Sequence, residues 1–66
     1  MAILKVIEVL SSSKKSWEDA TSSAIKKASK SVKNIKSAWV QDQSVSVSGD
    51  KVTEYRVALK VTFEVK

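Results

Sequence analysis

The chain has 66 residues, 42% of them hydrophobic and 29% charged, and its 12 basic and 7 acidic side chains give a net charge of +5. A domain this short buries only about 60% of the surface that its unfolded chain exposes, and the lack of Cys and His excludes disulfides and the usual zinc sites as its support. Residues 1–66 are therefore predicted to form a single domain that is stabilised by association with other copies.

The first segment is apolar and predicts a strand. Residues 2–10 are rich in β-branched side chains and are interrupted by charge only at Lys5 and Glu8. The serines and lysines of residues 11–15 predict a polar link. No basic segment followed by a long apolar run begins the chain, and no stretch reaches the roughly 20 apolar residues of a membrane span. We therefore expect a cytoplasmic protein.

A helix of about 17 residues is predicted to begin at Ser16, whose hydroxyl can cap the N-terminus. Glu18 and Asp19 place negative charge in the positive first turn. Apolar side chains then recur every three or four residues, which predicts a narrow stripe that packs on a sheet. The stripe consists of Trp17, Ala20, Ala24, Ala28 and Val32. The lysines of this segment are expected to face water.

Two long strands in a hairpin complete the predicted order β-α-β-β. The period changes to two after Asn34, and a strand is expected to run from Ile35 to about Val47. The only glycine, Gly49, marks a tight turn. In the third strand apolar and polar residues alternate, and the apolar face is predicted to consist of Val57, Leu59, Val61, Phe63 and Val65. The fold class is α+β, with a three-stranded antiparallel sheet wrapped around one helix.

The lengths of these elements favour an oligomer. Strands of about 14 residues span roughly 45 Å, whereas the helix spans only about 25 Å. One helix leaves much of the sheet uncovered, and uncovered strands pair readily with other chains. We expect Leu59 and Val61 to lie at such an interface between copies.

These segments resemble the dodecin family of small flavin-binding or flavin-storing proteins. The resemblance covers nearly the whole chain through four segments in order. They are Lys5-Val6-Ile7-Glu8, Ser16-Trp17-Glu18-Asp19-Ala20, Asn34-Ile35, and Tyr55-Arg56-Val57 leading to Val61-Thr62-Phe63-Glu64-Val65. The resemblance implies a homododecamer of twelve β-α-β-β subunits that binds riboflavin or FMN.

The resemblance also implies a flavin site with two departures from the usual pattern. Flavin-binding members carry a stacking Trp early in the second strand and a hydrogen-bonding Gln early in the third, positions occupied here by Ser37 and Arg56. Trp39 lies two residues beyond Ser37 and hence on the same strand face, about 7 Å along. Arg56 can donate to flavin carbonyls or to a phosphate, and Gln41 adds a polar group. Similar departures occur in a second branch of the family, for which calcium binding has been suggested.

Each of these residues also has a structural interpretation. Trp39 can pack at an interface between subunits, and Arg56 can pair with a glutamate such as Glu54 or Glu64 of another subunit. Gln41 can belong to a solvated strand face. No metal-ligand motif is present in the sequence, so calcium would require acidic side chains that symmetry brings together from several copies.

Catalysis and nucleic-acid binding have little support in the sequence. The chain has no His, no Cys and no Gly-rich phosphate loop, so its serines lack an identifiable base. Its lysines are not interleaved with aromatic residues as single-strand binding requires. Two hypotheses remain: a homododecameric flavin storage protein that is not an enzyme, and a structural shell that binds calcium or an anionic ligand.

Overall fold

A computed structural model describes residues 2–66 as one antiparallel sheet with a single helix packed against it. The elements are β1 (Ile3–Ser13), α1 (Trp17–Ser31), β2 (Ile35–Ser48) and β3 (Lys51–Val65). The strand order is β1-β3-β2, and both pairings are antiparallel. Within residues 2–66, β1 and β2 are the edge strands. The predicted β-α-β-β architecture is confirmed.

The first strand is longer than predicted because the serine run belongs to it. Ser11 and Ser13 point towards the helix, where the Ser11 hydroxyl donates to the Ala20 carbonyl at 2.9 Å and the Ser13 hydroxyl donates to Asp19 Oδ2 at 2.6 Å. Ser13 Oγ also accepts from the backbone N–H of Lys15 at 2.9 Å. The predicted link over residues 11–15 was therefore wrong for the three serines and right for Lys14 and Lys15, which connect β1 to α1. The serine hydroxyls bond to protein groups, whereas the hydroxyls of loop residues usually bond to water.

The helix begins as predicted, with Ser16 as its cap. Ser16 Oγ accepts from the backbone N–H of Asp19 at 2.9 Å, which satisfies one of the free N–H groups of the first turn. The helix has 15 residues, two fewer than expected. Ala20 and Ala24 are buried against the sheet, where their small side chains allow a close approach. In residues 2–66 no helix is long and apolar enough to cross a membrane.

The helix is anchored to the hairpin through Trp17. Its indole N–H donates to the Ser44 carbonyl at 3.1 Å, and its ring meets Tyr55 edge to face with centroids 5.2 Å apart. Tyr55 lies on β3 opposite Val45 of β2. Trp17 is thus a packing residue whose polar atom is satisfied by backbone, as its place on the helical stripe predicted.

The hairpin turns at Gly49 and extends well beyond the helix. Gly49 has φ +64° at the first central position of a two-residue turn closed by the pair Ser48 and Lys51, the pattern of a type II′ turn. The molecule is 51 Å long and 13 Å thick, whereas 15 helical residues span only about 22 Å. Much of the hairpin is therefore left without cover by its own chain.

The core lies between α1 and the middle of β3. Val57, Leu59 and Val61 are buried there against Ala20 and Ala24. The partly buried side chains around them are Ile7, Val9, Trp17, Ile25 and Ile35. Leu59 and Val61 are 0% exposed in the single chain. They are core residues of one subunit, so the expectation that they lie between copies was wrong. The helix covers this part of β3 completely.

Candidate functional site

The candidate site lies on the outer face, defined here as the sheet surface turned away from α1. The residues of β1 and β3 with odd numbers face the helix and those with even numbers face outwards, as the burial of Val57, Leu59 and Val61 shows. The predicted site residues Ser37, Trp39 and Arg56 belong to this outer face, because they pair with or occupy even positions of β3. The outer face is therefore where these predicted site residues collect.

Trp39 is the most prominent aromatic group of the outer face. It lies opposite Lys60 in the β2–β3 ladder, and 65% of its surface is exposed. The Lys60 ammonium lies 5.9 Å from the centre of its ring, within cation–π range. Ser37 lies two pairs further along, opposite Thr62. The two-residue displacement from Ser37 to Trp39 thus keeps the ring on one face, next to a small side chain.

Two irregularities of β2 decide which side chains join Trp39. The register shifts between Ile35 and Ser37 and again between Val40 and Asp42, which leaves Lys36 and Gln41 as extra residues without ladder partners. Because of the second shift, Trp39 and Asp42 share the outer face although they are three residues apart. Gln41 is exposed at this bulge, so its structural role is to set the phase of the strand.

Arg56 occupies a separate polar cleft on the same face. The cleft has a volume of ≈ 240 Å³, and Arg56 shares it with Asp42, Ser12, Ser44 and Leu10. Arg56 and Lys60 are four residues apart on β3, which corresponds to about 13 Å. The structure thus brings Ser37 and Trp39 together and places Arg56 in a second subsite.

The Arg56 guanidinium has no acidic partner within residues 2–66. Of the two glutamates considered as partners, Glu54 accepts from the Ser12 hydroxyl at 3.3 Å, and Glu64 lies 3.6 Å from Lys36 Nζ. Neither forms a salt bridge with Arg56 inside the chain. Its donors thus remain available for an anionic group or for a neighbouring subunit.

The residues of one chain suit a planar ligand better than a metal ion. Exposed Trp39 offers a ring on which an aromatic ligand can stack, and Lys60 and Arg56 offer donors for its polar edge. In the described part of the chain, no three Asp or Glu side chains come together in a group that could hold a metal ion. Calcium prefers six to eight oxygen ligands, so several copies would have to contribute.

Lys60 is the residue of this face that the sequence analysis did not identify. It appears in the sequence as one of several polar residues alternating along β3, with nothing to connect it to Trp39. Counting along the hairpin would have found it. Trp39 lies nine residues before Ser48 and Lys60 nine residues after Lys51, and Ser48 and Lys51 close the turn.

Comparison with known proteins assigns the fold and the family. The Dodecin family model matches residues 3–66. A curated relative, the calcium dodecin of Mycobacterium tuberculosis, is 39% identical over 67 residues, with 100% of this chain and 93% of the relative covered. Its crystal structure, described as a calcium-chelating antigen with a novel calcium-binding site, matches with a TM-score of 0.84 at 35% identity, covering 97% of this chain and 91% of that one.

Dodecins from other bacteria show the same fold at lower identity. A point mutant of the Thermus thermophilus dodecin has a TM-score of 0.94 at 24% identity and covers 100% of this chain and 98% of its own. The Streptomyces davaonensis dodecin has a TM-score of 0.93 at 18% identity, with 98% and 96% covered. The family match also indicates that the chain acts as an oligomer.

Proposed function

The chain belongs to the dodecin family, and from this premise we propose that twelve copies form a closed shell that binds and stores flavin in the cytoplasm. The flavin ring stacks on Trp39 at the outer face, where neighbouring subunits complete the site. Binding protects the ligand and buffers its free concentration without a chemical reaction. This function requires no acid, base or nucleophile, in keeping with a chain that has no His or Cys.

The exposed ring of Trp39 is the observation that carries this proposal. An indole that is 65% exposed on a strand face loses favourable burial unless something covers it. Its position beside Ser37 leaves one side of the ring open to a flat ligand, because a serine side chain occupies little space. Offset stacking on an indole also quenches an excited ring system, which suits a protein that shields a photoreactive ligand.

Arg56 and Gln41 have supporting roles in this proposal. The Arg56 guanidinium presents several donors in a fixed plane and can bind a phosphate or a ring carbonyl of a ligand at its subsite. Gln41 holds the bulge that keeps Trp39 and Asp42 on one face. Ser37 contributes space beside the ring and a hydroxyl.

Calcium binding is the second candidate, and the relative from Mycobacterium tuberculosis favours it. That protein is named a calcium dodecin and is 39% identical to this chain. Asp42 is the carboxylate of the polar cleft, with Ser12 and Ser44 as further oxygen donors. Arg56 shares this cleft, and its positive charge opposes a cation there. A calcium site would therefore use acidic side chains from more than one subunit.

The test is a titration of refolded, ligand-free protein with riboflavin and FMN, followed by flavin fluorescence. We expect quenching that saturates, and we expect Trp39→Ala to abolish it. Trp17→Phe is the matched control, because Trp17 is held by the Ser44 carbonyl and Tyr55 on the helix side of the sheet. This variant should quench as the unaltered protein does.

A parallel calorimetric titration with calcium chloride separates the two candidates. The flavin proposal predicts quenching by flavin whether or not calcium is present. Heat of calcium binding in a protein that quenches neither flavin would contradict the flavin proposal and support the second candidate. Equal quenching by Trp39→Ala and the unaltered protein would show that the flavin binds elsewhere.

A further inference from the structure

A row of three side chains crosses the outer face at Trp39. Glu8 of β1 lies opposite Lys60 of β3, and Lys60 lies opposite Trp39 of β2. Directly opposed residues have Cβ atoms about 4.5–5.5 Å apart. Lys60 is thus equally placed, by backbone position, to pair with a carboxylate on one side or an indole ring on the other.

The ammonium group of Lys60 is directed at the indole. It lies 5.9 Å from the centre of the Trp39 ring, whereas residues 2–66 contain no salt bridge between Lys60 and Glu8. Lys60 is half-buried while Trp39 and Glu8 are exposed. A positive charge is therefore held beside the surface on which a planar ligand would stack.

A stacked ligand would come into direct reach of this charge. An offset-stacked ring has its centre about 4.5–7 Å from the indole centre, the distance range in which the Lys60 ammonium lies. A ligand that stacks on the indole must therefore push the Lys60 ammonium to the edge of the ligand ring, or stack beside the ammonium. The displaced ammonium forms only a weak hydrogen bond with a neutral ligand edge, whereas it forms a stronger, charge-assisted hydrogen bond with an anionic group.

From this geometry we propose that Lys60 is a specificity-determining residue that selects planar ring ligands carrying an anionic group. This inference rests on the proposed flavin function and names the ligand class of the same site. Glu8 opposes the selection, because its carboxylate competes with the anionic group for the same ammonium. The phosphorylated flavin is thus preferred over the neutral one, and the preference weakens as salt screens the charges.

The experiment measures dissociation constants of FMN and riboflavin by fluorescence quenching at low salt, with the assembled protein. We expect FMN to bind about tenfold more tightly, the factor of one charge-assisted hydrogen bond. Lys60→Met should reduce this ratio to about one, because it weakens the binding of FMN more than the binding of riboflavin. Lys26→Met is the matched control, because it removes the same charge from the exposed helix surface on the other side of the sheet.

Glu8→Gln provides a change in the opposite direction. Removal of the competing carboxylate should raise the preference for FMN above that of the unaltered protein. If the ratio of the two dissociation constants were the same in the unaltered protein and in Lys60→Met, the selection would be overturned while the proposed flavin function would stand. An equal weakening of both flavins in Lys60→Met would have the same meaning. Failure of the unaltered protein to bind either flavin would overturn the selection together with the proposed function.

Discussion

The two tryptophans lie on opposite sides of the sheet and differ in how far the chain covers them. On the helix side, Trp17 packs against Tyr55, and its N–H group is bonded to the Ser44 carbonyl. On the outer face, Trp39 is 65% exposed, and the Lys60 ammonium lies 5.9 Å from the centre of its ring. The first ring is satisfied within one chain, whereas the second is not.

This difference extends to the aliphatic side chains. Leu59 on the inner face is fully buried, while Leu10 on β1 is 74% exposed on the outer face. Two further large apolar side chains on the outer face of β1 are also exposed, namely Leu4 and Val6. A small domain that leaves so much apolar surface open gains stability by covering it with other copies. The inner face thus determines the fold of one subunit, and the outer face determines what binds it.

The largest effect is expected from a charge on the apolar outer face. Leu10→Asp should prevent assembly, because it replaces apolar surface that other copies cover with a charged group that is costly to bury, even beside Arg56. Folding and association are linked in such a protein, so the variant should also lose secondary structure at low concentration. Sedimentation velocity and far-UV circular dichroism measure both. Ser22→Asp, which adds the same charge on the exposed side of α1, should assemble normally; an unchanged mass for Leu10→Asp would refute this role of the outer face.

A large effect is also expected in the core of one subunit. Leu59→Ala should lower the free energy of unfolding by about 2–5 kcal/mol, the cost of a cavity at a fully buried leucine. Urea unfolding at fixed protein concentration measures this loss. Lys26→Ala is the control that truncates an exposed side chain of α1, and it should cost clearly less. Equal losses would contradict the burial of Leu59.

A smaller effect is expected at the helix anchor. Trp17→Phe keeps a ring against Tyr55 but loses the donor to the Ser44 carbonyl, which should cost about 0.5–1.5 kcal/mol. Trp39→Phe loses no protein hydrogen bond in the described chain and should leave the free energy of unfolding nearly unchanged. Thermal and urea unfolding of both variants compare the two sites. A greater loss for Trp39→Phe would reverse their assigned roles.

The smallest effect is expected at a surface ion pair. Lys36 Nζ lies 3.6 Å from Glu64 Oε1, with the Lys36 side chain 55% exposed. Lys36→Met should therefore cost less than about 1 kcal/mol, and the difference should disappear in 1 M salt, where exposed pairs are screened. Lys27→Met on the helix, which loses no salt bridge, is the control in the same unfolding assay. A salt-independent loss would contradict an electrostatic origin.

Most of the fold could be predicted from the sequence because its signals are local. Ser16 followed by Glu18 and Asp19 placed the start of the helix, and Gly49 placed the turn to within its two central residues. The end of β1 was missed because serines carry no apolar alternation. Their inclusion in the strand depends on the Ala20 carbonyl and the Asp19 carboxylate, partners that only the folded chain supplies.

The site was less predictable because it depends on register across strands. That Ser37 and Trp39 share a face follows from the period of two. The separation of Trp39 from Arg56 follows from the pairing of Trp39 with Lys60, four residues beyond Arg56 on β3. The shift at Gln41 is compensated by an irregularity near Thr53, whose hydroxyl donates to the Ser46 carbonyl at 3.1 Å. No feature of the sequence marks these two bulges, and counting from the turn reaches Lys60 only because the two bulges cancel.

The most direct test of the central claim, that ligand binds to an outer face completed by other copies, is native mass spectrometry of the assembled protein with added FMN. We predict a closed assembly of twelve chains whose mass increases by that of bound FMN molecules. We predict a Trp39→Ala assembly with the same number of chains whose mass does not increase. A folded monomer that binds flavin, or an assembly that gains flavin equally with and without Trp39, would contradict the claim.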